Sequence, residues 1–522
     1  MNQRKKTILC LFLIFSTALL LCSFTTFRQE TGNGSASVVT ARTPVGKNGG
    51  RTIWTRSFAS PDGSCTFNSD PVICGSVLYI ANGQTLYQVD KKKGTVLHTM
   101  RLSARTNAIC HMLLEGNSLM IPLSGGKIEC VDIRNMTSRW QSRAFGGQSL
   151  STLYYKDGLL YAGTTVMTSG TDCTGVFYCI STKDGSTQWT YEDPAHPGGY
   201  YGSGAISRGG RLYFTGDNGI LVSHSLTKDT VYDTVPLTTK NGIRAGLTYD
   251  PGTASLYTAD TEGTVYRIPI SGDGTIQKKN IRVSSAAPAA RSVHCTSTPA
   301  VCHGRLYIGC IADGYGCLSV LDARDLRLYY KAKGAKGAEI KSSPLLSTGY
   351  ASAKNNNRIY VYVSANHPPG GIYYLADEST SVRGTLQTLY TPAKAKQYCM
   401  SSITADREGN LYYSNDSNTL FAVAGPVKSA AAKKPGKPSG IKIKKKKTNI
   451  YISWKKTTKK SQTILYLKYG RGKWAKKVIK TKTKYRAGRK QNTLRLRFRC
   501  RIRRNKKWIY SDYTKTYKVK YR

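Results

Sequence analysis

Residues 294–317, HCTSTPAVCHGRLYIGCIADGYGC, hold the densest group of potential nucleophiles and metal ligands in the chain. A hairpin turning at His303-Gly304 sets Ser297 opposite Cys310 with Cys295 diagonal to it, and a second turn between Ala312 and Gly316 brings Cys317 opposite Cys310. Cys295, Cys310 and Cys317 then share one end of one sheet face, while His294 points to the other. Three outcomes are open: buried thiols used as small packing residues, a disulfide, or a metal site, the last weakened because no C-x-x-C is present. Cys173 and Cys179 flank another turn and are open to a hairpin disulfide on the same reasoning.

Other chemistry is thin. His111, His196, His224, His294, His303 and His367 are scattered, and neither G-x-S-x-G nor H-E-x-x-H occurs, so no catalytic and no metal-binding residue is assigned. Glycine-rich turns such as HPGGYYGSG (196–204) and NHPPGGIYY (366–374) either offer aromatic rings to a sugar or simply connect strands.

The second concentration of chemistry is charge. The formal net charge is +49, and from Lys428 onward 36 Lys and Arg stand against one acidic residue, Asp512. Within that tail Lys444, Lys445, Lys446, Lys447, Arg497, Arg499, Arg501, Arg503 and Arg504 interleave with Trp474, Trp508 and Tyr510, a composition that binds polyanions by counterion release and stacking. Arg4, Lys5 and Lys6 precede an uncharged run from Thr7 to Phe27, which reads as an export signal or an N-terminal membrane anchor. Export changes the partner. The expected one is an anionic cell-envelope polymer or polysaccharide, not intracellular nucleic acid, with membrane contact through residues 1–27 if the segment is uncleaved.

These residues must be positioned by repeats. An aliphatic-Tyr or similar pair recurs at Leu78-Tyr79, Leu119-Met120, Leu160-Tyr161, Leu212-Tyr213, Leu256-Tyr257, Leu306-Tyr307, Ile359-Tyr360 and Leu411-Tyr412, each after a turn. A period of this size with four strands per unit is the mark of a β-propeller, because a lone four-stranded sheet cannot cover both its faces. The last repeat stops at Gly425-Pro426 after three strands, and the segment around Trp54 is the candidate for its missing outer strand, which would remove a sheet edge. The fold class expected is all-β: an eight-bladed β-propeller, with seven blades as the alternative, followed by a small β-sandwich.

G-x-L-Y, L/V-Y-x-x-D as in TLYQVDKKKG, and D-G-S-T-Q-W together resemble PQQ-like β-propellers over residues 51–425. The resemblance implies that a fourth-strand Trp docks blade on blade, here Trp54, Trp140 and Trp189, with His98, Tyr232 and Tyr330 at the equivalent offset elsewhere. In the catalytic members it also implies a quinone stacked on Trp, a calcium held by carboxylate and Asn, and a vicinal disulfide. No Cys-Cys pair exists and all three Trp fall in outer strands, so no cofactor is expected. The tail alternates again, as in IYISW and TLRLRFRCRI, and Trp454 resembles the second-strand Trp of fibronectin type III modules, although LRFRCRI lacks that family's Tyr.

The organisation expected is therefore a signal or anchor (1–27), a linker (28–49), the propeller (50–425), a Pro/Lys linker (426–440) and a basic fibronectin type III-like sandwich (441–522). The function expected is non-catalytic binding at the cell surface, with an unidentified protein or glycan on the propeller. The alternative is an extracellular enzyme, a quinoprotein oxidoreductase or a carbohydrate-active protein, using the propeller funnel.

Overall fold

The computed structural model describes residues 38–58, 69–107, 110–169, 172–201, 206–425, 435–455, 461–479, 483–488, 492–504 and 507–520. The expected signal segment lies outside them. The chain divides into two compact units, Met1–Pro426 and Val427–Arg522. No helix among the described residues is long and apolar enough to cross a membrane.

The first sheet shows how each repeat folds. Its strands are Val72–Cys74, Val77–Asn82, Thr85–Asp90 and Val96–Arg101, paired in that order. In Val77–Asn82 five of six residues are buried, because both faces of a middle strand are covered by neighbouring sheets. In the last strand only Met100 is even partly buried, so that strand stands at the rim. The described residues of the first unit form eight sheets built on this plan, and a two-stranded ribbon, Val166–Ser169 with Asp172–Thr174, branches from the third.

Each sheet buries its apolar face against the next. Leu86 of the first meets Leu119 and Val131 of the second, and Phe177 of the third stacks on Phe214 of the fourth at 3.8 Å. The series closes on itself: Trp54 and Leu420 of the eighth sheet share a cluster with Ile73, Leu78 and Ile80 of the first. Arg51–Ser57 supplies the outer strand of that eighth sheet, pairing antiparallel to Thr419–Ala424 with Trp54 opposite Ala422.

The rim tryptophans dock by one repeated contact. Trp54 Nε1 donates to Lys91 O at 2.9 Å, Trp140 Nε1 to Thr182 O at 2.9 Å and Trp189 Nε1 to Leu226 O at 3.1 Å, in each case a carbonyl in the turn before the next sheet's outer strand. The close approach explains the glycine in that turn: a Cβ on Gly185, which sits at φ +76°, would stand 2.6 Å from the Trp140 ring. At the same offset in the sixth sheet, Tyr330 donates instead to Asp377 of the seventh, whose buried carboxylate also accepts from Tyr307 Oη at 2.7 Å and pairs with Arg305. Tyr232 is half exposed beneath Arg211, and His98 is exposed, so those offsets carry no docking contact of this kind.

One expectation is corrected. Residues 38–49, taken as linker, belong to the first unit: Val38 and Val39 pair in parallel with Leu346 and Ser347 of the seventh sheet. The cause is the buried Tyr362 hydroxyl, which needs partners and finds them in Thr43 Oγ1 and Pro44 O, both at 2.7 Å.

The second unit is a sandwich. Ser439–Lys446, Asn449–Lys455 and Lys484–Gly488 form one sheet, and Ala475–Ile479, Gln462–Tyr469, Thr493–Arg504 and Lys507–Tyr510 the other, with Tyr517–Lys520 also paired to Thr493–Arg504. Ile450, Ile452 and Trp454 of the first share a core with Leu465, Leu467, Leu494, Leu496 and Phe498 of the second.

Trp54→Ala removes a buried indole and its bond to the first sheet, and is expected to lower the unfolding free energy of the ring by about 3–5 kcal/mol. Urea unfolding followed by far-UV circular dichroism measures this, and an unchanged midpoint would contradict the closing role of Trp54.

Candidate functional site

Among the described residues, side chains two or four positions before the innermost strand of six sheets line one cavity. Four residues before the inner strand stand Leu150, Arg244, Thr296, Lys341 and Met400; two before stand His111, Thr152, Thr298, Ser343 and Ser402. The even spacing reflects extended backbone, in which alternate side chains share a face. With Tyr201 and His294 these residues line one axial cavity of about 190 Å³.

Behind the cationic and imidazole groups of this lining stand carboxylates. Asp217 grips Arg244 through Nε at 2.9 Å and Nη2 at 3.0 Å, and the Tyr201 ring lies 4.4 Å from the guanidinium carbon. His111 Nδ1 contacts Asp70 Oδ2 at 2.8 Å, and Asp70 is itself fixed by Ser401 Oγ and the Ser402 N–H. Glu339 spans two partners, His294 Nδ1 at 2.6 Å and Lys341 Nζ at 3.5 Å. Burial pulls the His111 pKa down, but the adjacent Asp70 charge and hydrogen bond outweigh it and leave the pKa raised.

His111 and His294, which looked scattered, therefore meet at one cavity. Local pattern does not bring them together, because each lies in a different repeat. Alignment by the residues preceding the inner strand, instead of by the Leu-Tyr pair alone, exposes the shared offsets. His294 also departs from expectation in belonging to the axial lining: its segment, Val293–His294, pairs with Ile311 and Ala312 apart from the main inner strand Ala300–Cys302.

The thiols fall into two groups. The turn at His303-Gly304 forms, Cys310 stands directly opposite Cys317, and Cys295 joins them in the core between the fifth and sixth sheets. Ser297 does not face Cys310; the strand is interrupted there and Ser297 Oγ donates to Ser342 O at 2.9 Å. All three cysteines are free thiols, and burial pushes Cys295 up to about 12. Cys310 donates toward Cys317, which lowers the Cys317 pKa against the opposing effect of burial, with Lys331 and Lys333 adding to the lowering.

The hairpin disulfide considered for Cys173 and Cys179 does not form. Cys173 lies in the side ribbon opposite Met167 and donates to Asp217 Oδ2 at 3.0 Å, whereas Cys179 lies in the main sheet between Tyr161 and Trp189. The chain between them crosses from ribbon to sheet instead of turning back on itself, and both thiols are free. Cys173 thereby supports the Asp217–Arg244 pair. Among the described residues no group of three His, Cys, Asp or Glu side chains could hold a metal ion.

In the basic unit, alternation on Thr493–Arg504 buries Leu494, Leu496, Phe498 and Cys500 and turns Arg495, Arg497, Arg499, Arg501 and Arg503 to the other face. Aromatic rings run along that row. Arg497 lies 4.1 Å from the Tyr513 ring and 4.7 Å from Trp474, Arg499 is 4.3 Å from Tyr510, and Arg501 is 3.9 Å from Trp508. Lys444, Lys445 and Lys446 stand on the opposite sheet, with Lys444 opposite Tyr451 and Tyr451 opposite Arg486, and Lys447 follows in the turn. The expected polyanion set is thus divided between two sheets; the side chain of Arg504 lies outside the described part.

Asp70→Asn removes the charge that holds the His111 pKa up while leaving its burial, so that pKa is expected to fall below the ordinary histidine value of about 6.5. Proton NMR titration of the imidazoles checks it. Because the folded pKa is raised, the Asp70–His111 pair contributes stability that is complete below about pH 6.5 and is lost as pH rises through the folded value.

The quinone site implied by the family resemblance needs an indole platform and carboxylates free to hold a cation. Here Trp54, Trp140 and Trp189 stand in outer strands, and Asp70, Asp217 and Glu339 are each engaged by a cation or imidazole, so these residues do not fit that cofactor.

No curated protein matches the chain. Among solved structures, BamB from Moraxella catarrhalis is similar at 11% identity and TM-score 0.52, over 72% of this chain and 99% of that one. A europium-containing methanol dehydrogenase is similar at 9% identity and TM-score 0.54, over 74% and 96%. Quinohemoprotein alcohol dehydrogenase from Comamonas testosteroni is similar at 9% identity and TM-score 0.51, over 76% and 79%. At such identities the likeness is one of fold, and it spans both a named assembly factor and named dehydrogenases. Residues 35–309, more than half of the 522, match the family model described as outer membrane protein assembly factor BamB, and the chain belongs to that family.

Proposed function

We propose that this is an exported, non-catalytic binding protein of the cell envelope, whose propeller of eight blades serves as a platform for a protein or glycan and whose basic module holds it to an anionic envelope polymer. The observation that carries the reading is the row of Arg497, Arg499 and Arg501 lying against Tyr513, Tyr510 and Trp508. Stacked guanidinium groups give up less freedom on binding than solvated lysines, and they present planar donors to carboxylate, sulfate or phosphate groups along a polymer. The family's description as an outer membrane protein assembly factor supports an envelope setting and a platform role. Trp454, buried and bonded to Thr463 Oγ1 at 3.0 Å, supports a fibronectin type III kind of sandwich for the module.

A second reading, an enzyme using the propeller funnel, is favoured by one observation: His111 and His294, each backed by a carboxylate, Asp70 and Glu339, line the same cavity.

Full-length protein is expected to be retained on heparin-like or wall-polymer matrices with a log affinity that falls linearly with log salt. Arg497→Gln with Arg499→Gln and Arg501→Gln should reduce that slope by roughly one per lost contact. Neutralising Lys444, Lys445, Lys446 and Lys447 in a separate variant reports the opposite sheet. Retention that ignores salt and both sets of substitutions would refute the polymer-binding role.

A further inference from the structure

We propose that the axial cavity is a binding site for one small oxyanion, a carboxylate or phosphate group, held by Arg244, Lys341, His111 and His294. The site is distinct from the polymer-binding faces and does not depend on them. The lining consists of these four groups with five hydroxyl side chains, Tyr201 and two apolar residues, and the carboxylates contact the nitrogen groups without belonging to the lining. A surface of donors backed by acids is oriented when empty; the charges of Asp70, Asp217 and Glu339 stand against those of Arg244 and Lys341, so the site turns favourable to an anion as an imidazole is protonated.

Each donor has capacity left. Asp217 takes Nε and Nη2 of Arg244, so the Nη1 hydrogens are not used by that pair, while the Tyr201 ring fixes the guanidinium plane. His111 and His294 both spend Nδ1 on their carboxylates, which leaves Nε2 for a ligand. Lys341 keeps donors beyond its long 3.5 Å contact with Glu339. The volume of about 190 Å³ is ample for one small oxyanion.

The site responds to pH. Neutral His111 offers a lone pair at Nε2 that repels an oxyanion, and His111 protonated beside Asp70 donates there. His111 faces Asp70, which Ser401 and Ser402 fix, and His294 faces Glu339, which it shares with Lys341. Anion affinity therefore rises as pH falls.

The test is calorimetric titration of the full-length protein carrying Arg497→Gln, Arg499→Gln and Arg501→Gln, which weakens binding at the arginine face. The probes are glucuronate and inorganic phosphate, between about pH 8 and pH 6. Saturable binding of either probe at one site per chain, strengthening toward the lower pH, is expected. Lys341→Gln should weaken it by about tenfold or more, and His111→Gln should reduce its pH dependence. Arg244→Gln is the less safe variant because it strands Asp217, so Lys341→Gln carries the decision. Glucuronate binding without phosphate binding identifies an acidic sugar, and the reverse identifies a phosphate group; either supports the site. No saturable binding of either probe, or binding that Lys341→Gln leaves unchanged, overturns it.

Discussion

The closure of the ring is the constraint on which the rest of the first unit depends. Eight sheets that each have two apolar faces can bury them only if every sheet has a neighbour on both sides, so an open row would leave two faces and a strand edge in water. Arg51–Ser57 prevents this by supplying the outer strand of the last sheet from the beginning of the chain, and Trp54 then fastens that sheet to the first through Lys91 O. Strands 362 residues apart in the chain, joined for example by Ser57 and Thr419, are thereby held in one sheet. Val38 and Val39 add a second tie onto the seventh sheet.

Closure also makes the axial site. In six of the sheets, described residues just before the first strand converge on a common cavity even though tens of residues separate them along the chain. The converging side chains are hydroxyls, two imidazoles, an arginine, a lysine and the apolar Leu150 and Met400. Three carboxylates hold the charged ones in place, and Cys173, from the ribbon that interrupts the third repeat, steadies one of those carboxylates. A ring of hydroxyls alone would be a bland channel. The substitutions in the second, fifth, sixth and seventh repeats give it a chemical character.

The basic unit solves a different problem. Thirty-six Lys and Arg against one acid repel one another, and a single acid offsets little of that. The sandwich places its charges on the two outer faces, away from the shared core of Ile450, Trp454, Leu465 and Phe498, and covers the arginine row with tyrosine and tryptophan rings. Cation–π contact of this kind offsets repulsion by only about 0.5–1 kcal/mol per exposed pair, so the residual field remains strong and suits an external polyanion.

Much of this was legible in the residues. The Leu-Tyr pairs, the turns before them and the shortened last repeat pointed to stacked four-stranded sheets and to Trp54 as the closing strand, because strand alternation and turn chemistry are local properties. The alternating R-x-R-x-R run likewise announced one basic face. Alternation could not say that Lys444, Lys445 and Lys446 lie on the other sheet from Arg497, since sheet membership follows from which strands pair. Nor could it find the axial site. His111, Arg244, His294 and Lys341 look unremarkable in their own repeats, and Cys173 and Cys179 look like a hairpin pair until the ribbon separates them. Strand alternation and turn chemistry set what each strand buries and what each turn permits. Which distant side chains share a cavity follows from how the sheets are arranged about the axis and from where each chain segment enters.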